Sequence, residues 1–482
     1  MQPRHFHLIG IAGTAMASLA GLLKSAGHTV TGSDENVYPP MSNLLQELEV
    51  PYAEGYRPEN LRPRPEMVVV GNAISRGNPE LEVVLNRKLP YTSAAAVIKE
   101  EFIRGRHSLA VAGTHGKTTT TSLLAWVLES AGLNPSFLIG GVAENFGTSF
   151  RLTDSKYFVI EADEYDTAYF DKGPKMWHYL PDTAVVNNVE FDHADIYRDE
   201  IAYRWAFERF INLVPGNGTL VAGWDSPIVR ELAPKSFAPV ETFGYVHAAD
   251  APAEGEHPRW QALSVSFETD YTRFTVLHDG ELWGEVETPL AGAFNVRNAL
   301  AAIAAAESVG AEPEGVREGL RTFRSVRRRM EVRGEARGIT VIDDFAHHPT
   351  AVRETIDAAR QRYTGRPVVA VFEPRSYTAQ RREFEEEYVR ALGAADRIIL
   401  AGLFHPERYA AGTGIDPERM VEAWRAQERE AEYIPLVDEI VRHLAPRLRG
   451  DEVVLIMSNG GFGGIHGKLL EALRQDERAA SP

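Results

Sequence analysis

Gly116, Lys117 and Thr118 interrupt an apolar run and open a helix-like stretch, LAVAGTHGKTTTTSLLAWVLESAG over residues 109–132. These residue types suit a phosphate. Backbone N–H groups converge on anionic oxygens, a lysine adds a point charge for the β- and γ-phosphates, and a threonine hydroxyl ligates magnesium. The general spacing GxxxxGK[ST] would require glycine at 111, where Val111 stands, and the nearest glycine before Gly116 is Gly113. Whether Gly-Lys-Thr is a nucleotide site therefore depends on what accompanies it.

Two acidic clusters follow apolar, strand-like runs. Glu161-Ala162-Asp163-Glu164 closes KYFVIEADE, and Glu190-Phe191-Asp192-His193-Ala194-Asp195 closes TAVVNNVEFDHAD. Carboxylates and one imidazole beside a phosphate loop suit Mg2+, which takes a few protein ligands and completes its shell with substrate phosphates. Six arginines lie between 324 and 337. Such a run is ordinarily a solvated face, but at a domain junction an arginine can reach across a cleft and offset charge on a transferring phosphoryl group. Asp343-Asp344 and His347-His348-Pro349 follow at another strand end, where a local hydrogen-bond network is the alternative. A zinc site is not expected there, because no third ligand at helical spacing accompanies the histidine pair. Asn295 and Asn298 open an alanine-rich helix, as an adenine contact or as helix caps.

The elements that must position these groups alternate between strand and helix. FHLIGIAGTAMASLAGLLKSAGHTVTGSD reads as a βαβ unit with Gly10 and Gly13 in its turn and Asp34 at the end of the second strand. A dinucleotide fingerprint would need glycines where Ala12 and Ala15 stand, which argues against a nicotinamide-dependent dehydrogenase. A third strand, MVVVGNAIS, ends in a polar turn; YTSAAAVIKEEFIRGRHS then predicts a helix leading to a linker near Arg104–His107. Residues 259–290 alternate around an Asp-Gly turn and predict a hairpin insertion. Further alternation past 339 predicts another parallel sheet.

With 482 residues the chain needs about three domains. Its apolar runs, such as VVAVF and VVLIM, fall short of the roughly 20 residues of a membrane span. The N-terminus runs directly into a strand with no room for a signal peptide, so a cytoplasmic location is expected. There is no cysteine, which excludes disulfides, thiolate metal sites and a cysteine nucleophile. A formal charge of −17 disfavours nucleic acid and anionic membranes as partners.

Taken in order, GTHGKTTT, EADEYD, NNVEFDHADIY, GAFNVRN, RRRMEVRGE, DDFAHHPT and MSNGGFGG resemble the Mur ligase family across the whole chain. That family's phosphate loop has the shortened Gly-Thr-x-Gly-Lys-Thr form, so the odd spacing is accounted for by the resemblance. The resemblance implies an α/β fold of three domains: a Rossmann-like domain over 1–106 that binds a UDP-sugar, a central P-loop ATPase-like domain over 107–323 with a mostly parallel sheet, and a Rossmann-like domain over 324–482 that receives a peptide. It implies ATP and Mg2+ as cofactors and a monomer or weak homodimer. The activity implied is an amide ligase that makes an acyl phosphate of UDP-N-acetylmuramate and passes it to an amine. GSDENVYPPMS, GNAISRGNPE and FEPRSYT favour a cell-wall tripeptide, L-alanyl-γ-D-glutamyl-meso-diaminopimelate, as acceptor, with free L-alanine as the alternative.

The resemblance also assigns residues. Gly113, Thr114, His115, Gly116, Lys117, Thr118 and Thr119 would hold the phosphates, with Thr118 and Glu161 on one magnesium and His193 on a second. Arg329 would reach over from the third domain, Asn295 would contact adenine, and Asp344 the ribose or phosphates. Gly10, Gly13, Thr14, Ser33, Asp34, Asn72 and Ser75 would hold the UDP part. Asn145, His347, His348 and Arg375 would hold the substrates. Two positions depart from the pattern: no lysine lies in 198–212, where some relatives carry a carbamoylated one near Glu208 and Arg209, and Phe294 stands where many have histidine.

Overall fold

The computed structural model describes residues 2–39, 41–194, 196–245, 257–404 and 413–480; Asp195, the last member of the second acidic cluster, lies outside them. Among the described residues three large sheets carry the chain, beside a two-stranded antiparallel pair, Asp166–Ala168 with Asp171–Pro174. The first is parallel, in the order Tyr52–Glu54, Thr29–Asp34, His5–Ile9, Met67–Val70, Tyr91–Ser93. Building starts at the middle strand, moves outward one way and then crosses to the other side, so the chain reverses between His5–Ile9 and Met67–Val70. A crevice at the carboxyl ends of strands is the expected result at such a point. Gly10 makes the turn there with φ +84°, and the Gly10 and Ile11 amides both donate to the Ser33 carbonyl. Residues 91–103 differ from the expected single helix. Tyr91–Ser93 joins the sheet as an edge strand, because its backbone finds partners on Met67–Val70, and helix begins only at Ala94.

The central sheet has ten strands, and its arrangement decides the site. His107–Ala112, which leads into the phosphate loop, lies between Thr183–Val186 and Tyr157–Glu161, parallel to both. The three loops that follow these strands therefore emerge side by side from one edge. Helices Lys117–Ser130, Ala293–Glu307 and Pro313–Arg321 pack together on one face, around Leu123, Leu124, Ala299, Ile303 and Leu320, all fully buried. The predicted hairpin insertion is instead a continuation of this sheet. Trp260–Phe267 joins it parallel to Val240–Gly244, and Thr272–His278 and Glu281–Thr288 follow antiparallel, with Asp279 and Gly280 at positive φ in the two-residue turn. One face of these strands, Trp260, Ala262, Phe274, Val276 and Val286, is buried in the same core, which is why they stay on the sheet.

The third sheet runs Glu331–Ala336, Ile339–Asp344, Val453–Met457, Val368–Phe372, Arg397–Leu400, Glu430–Tyr433, parallel except for its first strand. The stretch before it is pinned to the central sheet: Val326 bridges to Ala143, the Arg327 amide donates to Val142, and the Glu144 amide donates to Ser325. Part of the arginine run is thereby laid along the edge from which the phosphate loop emerges.

Candidate active site

The phosphate loop is shaped by two glycines that close neighbours require. Gly113 has φ +141° and Gly116 φ +80°. A Cβ on Gly116 would stand 2.5 Å from Asn298 Oδ1, and one on Gly113 would stand 3.0 Å from the Asn187 side chain. Gly116 is the N-cap of the helix Lys117–Ser130, so the helix's first amides face the loop. The loop is held from the neighbouring strand end. Asn188 accepts from the His115 amide at 2.8 Å, and Thr114 Oγ1 donates to the Glu190 carbonyl at 3.0 Å. Thr119 is buried.

Lys117 is 7% exposed and Glu164 not at all, and they pair at 2.8 Å. Lys117 Nζ also donates to the Gly113 carbonyl at 2.7 Å. Burial works against both charges, but each outweighs it for the other. Glu164 and Asp163 raise the lysine, while Lys117 and the His193 ring hold Glu164 at about 2. For Asp163 the balance falls the other way: burial and the nearby Glu161 carboxylate outweigh the pull of Lys175 and Lys117 and push it up to about 7.

One helical position on, the Thr118 hydroxyl donates to Glu161 at 2.8 Å and accepts from Arg329 at 3.2 Å. Arg329 is placed by the residue after it. The Met330 amide donates to Asp344 at 2.7 Å, in a turn where Arg328 and Met330 both have positive φ. Asp344 is 4% exposed and its other oxygen accepts from the Ala346 amide at 2.7 Å. The carboxylate expected at ribose or phosphate thus organises the backbone that presents Arg329.

His193 lies 3.2 Å from Glu164, with its ring edge-on to Tyr165. Burial lowers its basicity, and Glu164 and Asp192 more than restore it. Asp192 accepts from Thr378 of the FEPRSYT segment at 2.7 Å, joining the central and third sheets. Glu208, in the neighbourhood of the absent lysine, pairs with Lys235 at 2.8 Å, and Arg209 stacks on Trp205. Glu164 is the carboxylate that meets His193 most closely, and the sequence places it only within the acidic cluster, with no role of its own. The signal was its place three residues after Glu161; what was missing was the fold that turns it inward.

A cavity of about 500 Å³ opens beside His115 and Gly116, lined among others by Asn187, Phe243, Phe294, Arg297 and Asn298. Asn295 turns away, donating to the Ala291 carbonyl and accepting from Asn298. Asn298 is the amide of this motif that lines the cavity, and Phe294 forms part of its wall. At the cavity mouth, His115 lies 3.3 Å from Glu190, which also accepts from Thr350 at 2.6 Å. His348 stands beside them, its ring 4.7 Å from that of His115. Burial and His115 press its basicity down to about 4. The histidine pair does not act together here: His348 alone of the two groups with His115 and Glu190, which come from other strand ends and not from helical spacing.

The remaining positions fall into two groups. Gly13, Thr14, Asn72 and Ser75 are exposed at the carboxyl edge of the first sheet, around the turn at Gly10. Asp34 accepts from the Ala12 amide at 2.9 Å and so braces that turn. Ser33 is fully buried and donates to Glu80 at 2.6 Å. Asn145 binds the Thr322 carbonyl and the Arg324 amide, tying the central sheet to the arginine run. His347 contacts the Phe345 carbonyl, and Arg375 lies over the Phe404 ring at 3.9 Å.

Family models match along the chain: "Mur ligase family, catalytic domain" at 5–105, "Mur ligase middle domain" at 111–306 and "Mur ligase, glutamate ligase domain" at 328–460. The UDP-N-acetylmuramate–L-alanyl-γ-D-glutamyl-meso-2,6-diaminoheptandioate ligase of Escherichia coli K12 is 42% identical, over 98% of this chain and 99% of its own. The UDP-N-acetylmuramate–L-alanine ligase of Myxococcus xanthus is 34% identical, over 97% and 95%. Among solved structures, a murein peptide ligase from Psychrobacter arcticus is similar with a TM-score of 0.71 and 36% identity, covering 98% of this chain and 99% of that one.

Proposed function

The chain belongs to the Mur ligase family, and from that premise we propose that it is an ATP-dependent ligase joining L-alanyl-γ-D-glutamyl-meso-diaminopimelate to UDP-N-acetylmuramate. The observation that carries the choice of acceptor is full-length similarity: 42% identity to a ligase named for this tripeptide against 34% to one named for free L-alanine. In this reading the lactyl carboxylate attacks the γ-phosphorus of ATP and ADP leaves. The alanine amine then attacks the acyl carbon and phosphate leaves. Negative charge accumulates in both steps, and preorganised cations and amides offset it at no further cost in reorganisation.

The donors suit these roles. Lys117 brings positive charge to the loop and Arg329 brings it to the Thr118 hydroxyl, and the helix Lys117–Ser130 offers its first amides. Thr118 and Glu161, in contact with each other, offer hard oxygen donors for one Mg2+, and His193 would meet a second, each ion shared with substrate phosphates. Bound there, Mg2+ would supply Lewis-acid charge compensation. Adenine would enter the cavity lined by Phe294 and Asn298, which offer an aromatic wall and an amide, and Asp344 acts through Arg329. The crevice of the first sheet, with Gly10, Gly13, Thr14, Asp34, Asn72 and Ser75, is the place for the UDP part. The peptide would be met by His347, His348 and Arg375. The division at 106/107 and 323/324 fits the three sheets, with Phe6 and Leu19 of the first domain sharing one continuous buried cluster with Phe158 and Phe207 of the second. Among the described residues no helix is long and apolar enough to cross a membrane.

The test is a phosphate-release assay with ATP, Mg2+ and UDP-N-acetylmuramate, offering either the tripeptide or L-alanine. The tripeptide is expected to turn over faster; faster use of free alanine overturns the acceptor.

A further inference from the structure

Three side chains that the ligase reading leaves without a common role meet where the phosphate loop touches the third sheet. His115 belongs to that loop, Glu190 to the segment after the strand Thr183–Val186, and His348 to the N-cap of the helix Pro349–Arg362. His115 Nε2 lies 3.3 Å and His348 Nδ1 3.8 Å from the same Glu190 oxygen, and one ligand atom from each residue falls within 4.8 Å of the others. Ligands held at about 2.0–2.2 Å around a tetrahedral ion stand roughly 3.3–3.6 Å apart, so the His115–Glu190 spacing already fits and the widest separation would contract by roughly 1 Å.

A second observation points to an occupant. His348 is 4% exposed, yet neither of its ring nitrogens has a hydrogen-bond partner. A buried polar group left unsatisfied is costly, and a ligand bound by one nitrogen would remove part of that cost. Two imidazoles and one carboxylate form a donor set for zinc-class ions, unlike the oxygen set that magnesium prefers. The cavity beside His115 and Glu190 leaves a fourth position open.

We infer that His115, Glu190 and His348 form a three-ligand site for a borderline divalent cation of the Zn2+ class, with an open fourth position, which ties the phosphate loop to the third sheet. The site is separate from the Thr118, Glu161 and His193 set and does not depend on which acceptor the ligase uses.

The experiment titrates the untagged full-length chain with Co2+, in excess Mg2+ and without nucleotide, and follows the visible ligand-field absorption. One saturable equivalent is expected, displaced by Zn2+. His348→Ala and Glu190→Gln should each weaken it by at least about tenfold, while His193→Ala leaves it in place. Thermal melts establish that each variant is folded, and His348→Gln serves if the alanine variant is not. The inference is overturned by the absence of a saturable band in the wild-type chain. It is equally overturned by a band that survives His348→Ala unchanged, or by one that disappears in His193→Ala alone. The ligase assay in Mg2+ reads the proposed activity independently of these outcomes.

Discussion

The Lys117 ammonium lies 2.8 Å from the Glu164 carboxylate, and the pair is almost wholly out of solvent. Glu164 turns its other oxygen to His193 at 3.2 Å. A single buried acid thus balances the cation of the phosphate loop and the imidazole of the second acidic cluster. Removing one member of a buried pair strands the other charge, at a cost of about 3–5 kcal/mol. Glu164→Ala is therefore expected to lose stability of that order in chemical denaturation. Glu164→Gln, which keeps a hydrogen-bond acceptor, should lose less, and equal losses would count against the ion-pair account.

Lys117→Ala should abolish phosphate release while leaving UDP-N-acetylmuramate binding within about twofold of wild type, because Lys117 is far in the chain from the Gly10 turn and belongs to a different sheet. Calorimetric titration with the UDP-sugar, alongside the assay, checks both halves. Unaltered ATP turnover in this variant would refute the role given to the lysine.

Asp344 is expected to act at one remove. Asp344→Ala frees the Met330 amide, so the turn presenting Arg329 loses its anchor, and turnover should fall about 10²-fold or more, as when one charge-stabilising group is lost. Arg329→Ala should fall by a similar factor. If Asp344 works through Arg329, the double variant should be little worse than either single one, since residues acting as a unit are non-additive. Fully additive losses would separate them.

Glu80 carries a pH prediction. It is fully buried, and although burial raises its carboxyl, hydrogen bonds from His7, Ser33 and Asn60 outweigh that and hold it below the ordinary 4.5. A depressed acid contributes stability that is complete above the unfolded value and is lost as pH falls below it. Unfolding free energy should therefore decline as pH drops below about 4.5, and Glu80→Gln should flatten part of that decline. Denaturation midpoints across that range would show it, and an identical slope in the variant would sink the idea.

Much of this architecture could be read along the chain, because strand-helix alternation and glycine turns are local in sequence. The βαβ start, the Asp-Gly turn at 279–280 and the strands preceding each polar cluster follow from periodicity and backbone freedom alone. Residues 260–288 could not be placed that way. Alternation predicts a hairpin, but only the apolar faces of the helices Ala293–Glu307 and Pro313–Arg321 keep all three strands on the central sheet. The edge strand Tyr91–Ser93 was hidden for the same reason: three residues of backbone become a strand only when a partner strand is present.

The site divides along the same line. Gly116, Lys117, Thr118, Glu161 and His193 announce themselves by residue type and by their position at strand ends, since that chemistry needs few groups and those groups are seldom grouped otherwise. Their partners do not. Glu164 is 47 residues from Lys117, Thr378 is 186 from Asp192, and Arg329 is 211 from Thr118. Sequence by itself determined the alternating α/β layout and the reactive residue types. Tertiary structure alone decided which carboxylate neutralises Lys117, which amide lines the cavity and which residues surround His348. The order of parallel strands brings loops from distant segments to one edge, and burial there makes each charge depend on a neighbour that linear spacing does not reveal.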